Sequence, residues 1–308
     1  MAKNYHFILL FWLTSHVLGF SQDLEYLTVN DFDLKGRVKT CTVITDYGSE
    51  VFEFNKLGLL VRSTTQYNEQ DQDITIYKYI GDWLVERRME SYKNGKLDAT
   101  TSMANFFEID TSGNKVINER VVSYDKQFFE NQVFRFDDSN RLVGITVSHQ
   151  DAVDETRVEY VNYKEETTKT YLLNGVIQKS IRTSSKKNAG GEVKTVLTKD
   201  FLDGQPTSAV EETYGANEKL LTKVVFSFDT SIDQFAIIEE FSNVYDEDGI
   251  LSKTIIKRGN TVFEKEYIFQ FDDNETKNWV KKIVTPDNTY TTRKIEYYTS
   301  GPNQPQSN

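Results

Sequence analysis

The chain has 308 residues, and its 47 acidic residues outnumber its 36 basic residues to give a formal net charge of −11. An acidic surface repels phosphate, so the composition argues against binding to nucleic acid or to anionic lipid. The single cysteine, Cys41, excludes an internal disulfide, and the scarcity of proline (four residues) leaves long stretches free to pair as strands.

Residues 1–21 have the pattern of a secretory signal peptide. Lys3 supplies the positive charge, residues 7–13 are apolar without interruption, and Gly19 and Ser21 are small residues that precede a cleavage site. An uncleaved anchor is the alternative, but the apolar run is shorter than the ~20 residues that a spanning helix needs. We therefore expect an exported product, periplasmic or extracellular, with no membrane span once the signal is removed.

Residues 22–298 are predicted to form one domain built from β-strands. Residues 22–34 are interpreted as a short helix or an arm that leads into the first strand at Val38. From there apolar and polar residues alternate in segment after segment, and Asn-Gly pairs at 94–95 and 174–175 mark tight hairpins. No long segment has the 3.6-residue apolar period of an amphipathic helix.

A repeated turn organises these strands, and its clearest copy begins at Phe134. Phe134 and Phe136 point to one face of a strand, because side chains two residues apart share a face. Asp137 then takes the first position of a type I turn, and Asn140 takes the position where the chain needs a positive φ. Leu142 opens the returning strand.

Looser copies of this turn recur along the chain. The predicted first turn residues, with the glycines expected at positive φ, are Asn55 with Gly58, Asp110 with Gly113, Asp246 with Gly249, and Asp272. Their spacing fits a unit of about 27 residues, which has room for two strands and their connections. Weaker turns at 79–82, 163–165, 188–191 and 214–217 partly fill the missing positions.

The segment 184–192 is rich in serine, lysine and glycine, and it fits either a linker between two domains or a long hairpin loop. We favour the hairpin loop, because the segment falls where the repeat predicts a turn. Residues 299–308 contain two prolines and no periodicity, so we expect a disordered tail.

The aromatic-x-aromatic-Asp-x-x-Asn-Arg-Leu pattern at 134–142 resembles the YD (RHS-type) repeats of secreted and surface proteins of bacteria. The resemblance extends over residues 52–284 at low sequence specificity, and among the five clearest turns the Tyr-Asp pair itself stands only at Tyr245 and Asp246. It implies hairpins joined into one continuous, coiling antiparallel sheet. Long members of that family enclose a toxin cargo. This chain is too short for such a shell, so the resemblance implies a fold and no specific function.

The expected fold class is therefore all-β: a long antiparallel meander of hairpins, arranged as a curled single sheet or as an open barrel or sandwich. An outer-membrane barrel is the structural alternative, and it requires a strand face that is apolar throughout. In the segment 280–284 the neighbouring Lys281 and Lys282 point to opposite faces, which argues against a lipid-facing row.

The sequence predicts no cofactor and no metal site. His149, the only histidine of the expected mature chain, is interpreted as a solvated residue near a strand end, and the acidic turns at 246–248 and 272–273 as solvated turns rather than Ca²⁺ sites. Trp83 and Trp279 each follow a turn, where an indole can stack on a sugar ring or instead cover the end of a core. Carboxylates are too numerous for the sequence to select a catalytic pair.

The leading hypothesis is an exported, non-enzymatic β-repeat protein with a binding or scaffolding role at the bacterial cell envelope. Its partner would be an unknown protein or a cell-surface glycan, and a sheet edge could pair with a partner strand. The alternative hypothesis is a carbohydrate-binding or glycoside-hydrolysing module that uses Trp83 or Trp279 together with a carboxylate.

Overall fold

The computed structural model describes residues 27–45, 48–149, 152–188 and 191–299. The expected signal peptide at 1–21 and residues 300–308 of the expected tail lie outside the described residues. Within the described part, the one helix is a 3-10 helix at Val29–Phe32. Among those same residues, no helix has the length and apolarity that crossing a membrane requires.

Twenty-one strands follow this helix. In chain order they are β1 (Val38–Thr45), β2 (Gly48–Phe54), β3 (Leu60–Gln66), β4 (Gln72–Ile80), β5 (Trp83–Lys93), β6 (Lys96–Leu97), β7 (Met103–Asp110), β8 (Val116–Ser123), β9 (Phe129–Phe136), β10 (Leu142–Ser148), β11 (Val153–Tyr163), β12 (Glu166–Leu173), β13 (Val176–Asn188), β14 (Gly191–Leu202), β15 (Gln205–Tyr214), β16 (Leu220–Asp229), β17 (Gln234–Tyr245), β18 (Leu251–Arg258), β19 (Thr261–Phe271), β20 (Trp279–Thr285) and β21 (Thr289–Tyr297).

The strands form one antiparallel sheet that closes on itself. β1 pairs with β2 on one side and with β21 on the other, where Cys41 lies opposite Ile295 and Val43 opposite Arg293. Twenty strands make up the closed barrel, and the two-residue β6 is a side pairing on β5. The prediction of an all-β antiparallel structure is confirmed, and the closed barrel is more specific than the predicted curled sheet or open barrel or sandwich.

Closure also corrects the expectation that a sheet edge pairs with a partner strand. The first and last strands of the barrel occupy each other's edges, so neither presents an unpaired row of N–H and C=O groups. The sequence could not show this, because local turn patterns carry no information about contacts between the two ends of a chain.

The connections between strands alternate between two rims of the barrel. We call the rim that carries the turn at Asn55 the first rim and the rim that carries Asn174 the second rim. The predicted Asn and Asp turns, and the weaker turns at 79–82, 163–165 and 214–217, all belong to the first rim. One unit of about 27 residues is therefore a pair of strands with both of their connections.

The predicted insert at 184–192 lies at the first-rim end of the hairpin formed by β13 and β14. The two strands pair continuously up to Asn188, which lies opposite Gly191. The strand ladder thus runs through the described residues of this segment.

The first-rim turn at Asn55 shows why the repeat begins with Asn or Asp. Asn55 Oδ1 accepts the backbone N–H groups of Leu57 at 2.9 Å and of Leu59 at 3.0 Å. Gly58 follows with a φ of +81°, in the left-handed region. The side chain thus satisfies backbone donors that the five-residue connection otherwise leaves unpaired.

The turn at Asp137 has the same arrangement. Its Oδ1 accepts the backbone N–H groups of Ser139 and Arg141, each at 2.9 Å. Asn140 has a φ of +57°, which asparagine tolerates better than most residues with a Cβ.

The remaining predicted turns are one close copy and two variants. At Asp246 the Gly249 N–H donates to the Asp246 carbonyl at 2.9 Å, and Gly249 has a φ of +75°. Asp110 is the last residue of β7, and Gly113 does not adopt a left-handed φ. Asp272 begins a longer loop that leads into β20.

Three tyrosines tie consecutive hairpins together at the first rim. Each hydroxyl donates to the carbonyl of the leucine that opens the last strand of the preceding hairpin: Tyr79 to Leu60 (2.8 Å), Tyr160 to Leu142 (3.0 Å) and Tyr245 to Leu220 (2.8 Å). The repeat therefore specifies contacts between neighbouring units as well as the turn inside each unit.

One face of the barrel wall holds both apolar cores. Cross-strand register places the strand residues of two buried clusters on a single face. Side chains inside a closed barrel converge and cover one another, so this is the inner face. The larger cluster comprises Leu84, Phe107, Ile117, Phe134, Phe136, Leu142, Ile145, Val158 and Tyr171. The smaller cluster comprises Leu34, Val38, Cys41, Phe52, Phe54 and Leu60.

The segment before β1 packs on the inner face beside the seam between β1 and β21. Leu27, Val29 and Phe32 contact the smaller cluster, and the ring centroids of Phe32 and Phe52 lie 4.4 Å apart. The Leu27 carbonyl also accepts the backbone N–H of Leu60 at 2.7 Å. This segment therefore covers the end of the core near the first rim.

The turn geometry yields a direct test of the repeat. Substitution Asn55→Ala removes the acceptor for two backbone N–H groups, and we expect it to lower the free energy of unfolding by about 1 kcal/mol. Asn55→Asp keeps the acceptor and should retain most of that stability. Chemical denaturation checks both, with exposed Lys56→Ala as the control within the same turn. Equal stability of the Asn55→Ala and Lys56→Ala variants would contradict this account of the turn.

Candidate functional site

Six polar side chains gather on the inner face of the barrel wall, on β5 and β7–β9 and just after β10. Arg87 lies directly opposite Asn105, and Glu119 directly opposite Gln132, so register alone places them side by side. We call this group the inner polar cluster, and its members are Arg87, Asn105, Glu119, Glu130, Gln132 and His149. It adjoins the larger apolar cluster on the side towards the second rim.

The base of the cluster is buried. Asn105 is 3% exposed and Glu119 is 8% exposed. Asn105 Nδ2 donates to Glu119 Oε1 at 2.5 Å, and a guanidinium nitrogen of Arg87 lies 3.6 Å from the same oxygen. Burial raises the pKa of the Glu119 carboxyl, and the bond from Asn105 and the charge of Arg87 offset this only in part.

Two atoms at this base lack a hydrogen-bond partner among the described residues. They are the Asn105 carbonyl oxygen Oδ1 and the Arg87 nitrogen Nε, both buried. Leaving one buried polar atom unpaired costs about 1–3 kcal/mol. These two atoms belong to directly paired residues, which makes the base of the cluster a candidate binding site.

The upper part of the cluster is more open. Gln132 Nε2 donates to Glu130 Oε1, and Glu130 Oε2 lies 3.2 Å from His149 Nδ1. The His149 side chain is 40% exposed. The sequence interpretation of His149 as a solvated strand-end residue therefore missed its pairing with Glu130, which lies on the neighbouring strand.

Trp279 lies in a different part of the barrel, at the first rim beside the seam. Its indole is 8% exposed, its Nε1 donates to Asp33 Oδ2 at 2.7 Å, and the Arg293 guanidinium lies 3.4 Å from the ring centroid. Both the indole N–H and a ring face are therefore engaged within the protein. Trp279 covers the end of the core, so the structure does not support its proposed role in stacking on a ligand.

Trp83 lies at the start of β5 on the outer face, opposite Ile80, and is 43% exposed. Neither tryptophan is on the inner face near Glu119 or Glu130. The hydrolase form of the sequence-based alternative requires a tryptophan and two carboxylates in one cleft, and the structure does not bring either tryptophan to Glu119 and Glu130. Trp83 remains an accessible aromatic side chain without a carboxylate pair beside it.

The Asp272 turn and Cys41, which the sequence also drew attention to, are held by contacts within the protein. Among the described residues, no group of three or more His, Cys, Asp or Glu side chains is placed to hold a metal ion. The Asp272 carboxylate accepts hydrogen bonds from Tyr297 and from the Asn278 backbone, so it organises its own loop. Cys41 is buried in the smaller cluster, and burial raises the pKa of its thiol.

A weak sequence signal for the inner polar cluster existed. Along β8 the carboxylate of Glu119 lies at an inner-facing position between the apolar Ile117 and Val121. The same happens on β7, where Asn105 precedes Phe107. A polar residue at an inward position is informative only once the inward face is known.

No protein-family model matches the chain, and no curated protein matches it. Among solved structures, the chain is similar to a porin-like protein from Bacteroides uniformis ATCC 8492, at 10% identity and a TM-score of 0.34, covering 84% of this chain and 96% of that one. It is also similar to a porin-like protein from Bacteroides vulgatus ATCC 8482, at 12% identity and a TM-score of 0.26, covering 85% and 98%. TM-scores and identities this low do not support a statement about the function of this chain.

The raised pKa of Glu119 predicts a pH dependence of stability. The folded state holds the Glu119 proton above the ordinary carboxyl pKa of 4.5, so this group favours folding less as pH rises through that range. Glu119→Gln removes the titration, and we expect its stability relative to wild type to increase with pH. Denaturant titrations at several pH values measure the difference, with Glu108→Gln on the outer face as the control. Parallel pH profiles for wild type and Glu119→Gln would contradict the prediction.

The contrast between the two tryptophans is also testable. Trp279→Phe removes a charge-assisted hydrogen bond to Asp33 and should lower the free energy of unfolding by about 2 kcal/mol. Trp83→Phe changes an exposed side chain and should cost less than about 0.5 kcal/mol. Each variant of a chain that starts at residue 22 keeps a single tryptophan. In acrylamide quenching, the fluorescence of Trp279 in the Trp83→Phe variant should be well protected, and that of Trp83 in the Trp279→Phe variant should be readily quenched. Comparable quenching of the two variants would show that Trp279 is accessible.

Proposed function

We propose that this chain is an exported, non-enzymatic β-barrel of the bacterial cell envelope, periplasmic or extracellular, that stands in water and binds a ligand. The expected signal peptide supports export. The observation that carries the proposal is the chemistry of the outer face of the barrel, which carries ion pairs on β2–β5, on β11 and on β17–β19.

Ion pairs occur on the outer face at well-separated points of the wall. They are Arg62–Glu53 (3.7 Å), Lys78–Glu86 (2.9 Å), Arg157–Glu159 (2.7 Å), Lys257–Glu240 (2.8 Å) and Lys253–Glu264 (2.9 Å). A Lys or Arg on the lipid face of a membrane barrel costs about 2–4 kcal/mol near the bilayer midplane. Charges at so many points favour a barrel surrounded by water over one embedded in lipid.

The two lysines singled out in the sequence support the same proposal. Lys281 lies opposite Thr292 on the outer face, and Lys282 lies opposite Thr291 on the inner face. On β20 the outer face therefore carries a charge in the middle of the strand, where a membrane barrel would place an apolar residue.

The interior is the surface that supports a binding role. Closure leaves no barrel edge for strand addition, while the inner polar cluster presents unpaired polar atoms. A non-enzymatic role is favoured over hydrolysis because Glu119 and Glu130 stand without the tryptophan that the alternative required. The partner in this proposal is a small molecule inside the barrel, with a cell-surface glycan as the biological source we favour over a protein.

Fractionation of the producing cell tests the proposal. The full chain should lose its signal peptide, be released with the periplasmic or extracellular fraction, and partition into water when a detergent solution separates into phases on warming. A variant that lacks residues 1–21 should remain in the cytoplasm. Recovery of the processed chain only with detergent, from the outer membrane, would overturn the proposal.

A further inference from the structure

We infer that the inner polar cluster binds a neutral ligand with neighbouring hydroxyl groups, a polyol or a sugar, from within the barrel. This inference rests on the proposed binding role and names the class of ligand that the role would serve. It uses different residues from the earlier carbohydrate hypothesis, because it involves neither Trp83 nor Trp279.

The two unpaired atoms at the base of the cluster select a hydroxyl. Arg87 and Asn105 are direct cross-strand partners, so their side chains start about 5 Å apart. Asn105 Oδ1 needs a donor and Arg87 Nε needs an acceptor. Hydroxyl groups supply both a donor and an acceptor, whereas an ammonium group supplies only donors and a carboxylate only acceptors.

The charges already present favour a neutral ligand. The Arg87 guanidinium lies beside the Glu119 carboxyl group, and the Glu130 carboxyl group lies beside His149 and accepts a hydrogen bond from Gln132, so the guanidinium and both carboxyl groups have partners within the cluster. A charged ligand would have to lose its hydration and disturb one of these pairs, which is costly in a buried site. A neutral ligand that exchanges hydrogen bonds with water for hydrogen bonds with the cluster avoids this cost.

The cluster offers more than one contact along a path into the barrel. Asn105 at the base is almost fully buried, and His149 at the top is partly exposed. Glu130 and Gln132 lie between them on β9, with acceptor and donor groups for a second hydroxyl. The exposed fraction rises from Asn105 to His149, so the ligand would approach from the His149 side of the cluster.

Two methionines provide a probe beside the site. Met89 and Met103 lie opposite each other on the inner face, one inward position nearer to the second rim than Arg87 and Asn105. Apart from Met1 they are the methionines of the chain. Their methyl groups, labelled with carbon-13, therefore report on the cluster in a two-signal NMR spectrum of the mature chain.

The experiment titrates the labelled mature chain with glycerol, myo-inositol, D-glucose, D-galactose, D-mannose and N-acetyl-D-glucosamine in turn. Concentrations up to about 100 mM saturate a site with a dissociation constant of about 1 mM. We expect at least one compound to shift both methyl signals in a saturable way. Ethanolamine and acetate serve as probes of cationic and anionic ligands and should produce no saturable shift.

Substitutions test whether the shift of the methionine methyl signals is caused by binding at the inner polar cluster. Asn105→Ala should abolish the saturable shift, whereas Asn118→Ala, on the outer face of β8 next to Glu119, should leave it unchanged. If Asn105→Ala does not fold, as judged by circular dichroism, Gln132→Ala takes its place and should weaken binding at least tenfold. A titration that uses purified protein is independent of the fractionation test, so either proposal can fail alone.

Three outcomes would overturn the inference. One is the absence of a saturable shift with every polyol and sugar, which would mean that only water satisfies the unpaired atoms. Another is binding that survives Asn105→Ala and Gln132→Ala. The third is saturable binding of ethanolamine or acetate but of none of the neutral compounds, which would assign the cluster to a charged ligand.

Discussion

The pairing of β1 with β21 is the constraint on which the rest of the structure depends. An open sheet of twenty strands would leave two unpaired edges, and closure removes both. The two ends of the barrel are held together beyond the strand ladder. Asn278 and Lys35 exchange two hydrogen bonds, of 2.7 and 2.8 Å, and Arg293 donates to the Phe32 carbonyl at 3.0 Å. The segment before β1 therefore adds hydrogen bonds that hold the last two strands of the barrel beside the first.

Closure also creates an inner face, on which apolar and polar side chains lie at different heights between the two rims. Apolar side chains such as Phe136 and Leu142 pack near the first rim, where the turns and tyrosine bonds hold the hairpins in register. Polar side chains such as Glu119 and Glu130 follow towards the second rim. The barrel is too wide for one core to fill it, and Phe263 on the inner face is 47% exposed. Stability consequently comes from strand pairing and two local clusters, which leaves part of the interior available to solvent.

The sequence predicts what depends on neighbouring residues and misses what depends on distant ones. The turns at Asn55 and Asp137 follow from local hydrogen bonding, so their residue pattern reveals them. Trp83 and Trp279 have similar local contexts, because each follows a turn. They face opposite sides of the wall because Trp83 pairs with the outward-facing Ile80, whereas Trp279 pairs with Phe271, two residues from the inward-facing Phe269. The partner of Trp279, Asp33, is also remote in sequence. Closure and the accessibility of these indoles are non-local properties that periodicity does not contain.

The inner polar cluster was hidden for a related reason. An alternating strand shows which residues share a face, but both faces of this wall carry charges, so alternation alone does not identify the inside. Once closure defines the inside, the outer charges and the inner polar cluster are seen to differ in their hydration. Outer pairs such as Arg62–Glu53 remain largely hydrated and contribute little to stability. Asn105 and Glu119 have lost most of their hydration, so an unpaired polar atom there has a cost that a ligand can relieve. The proposed recognition of a small molecule therefore belongs to the inner polar cluster rather than to the outer ion pairs.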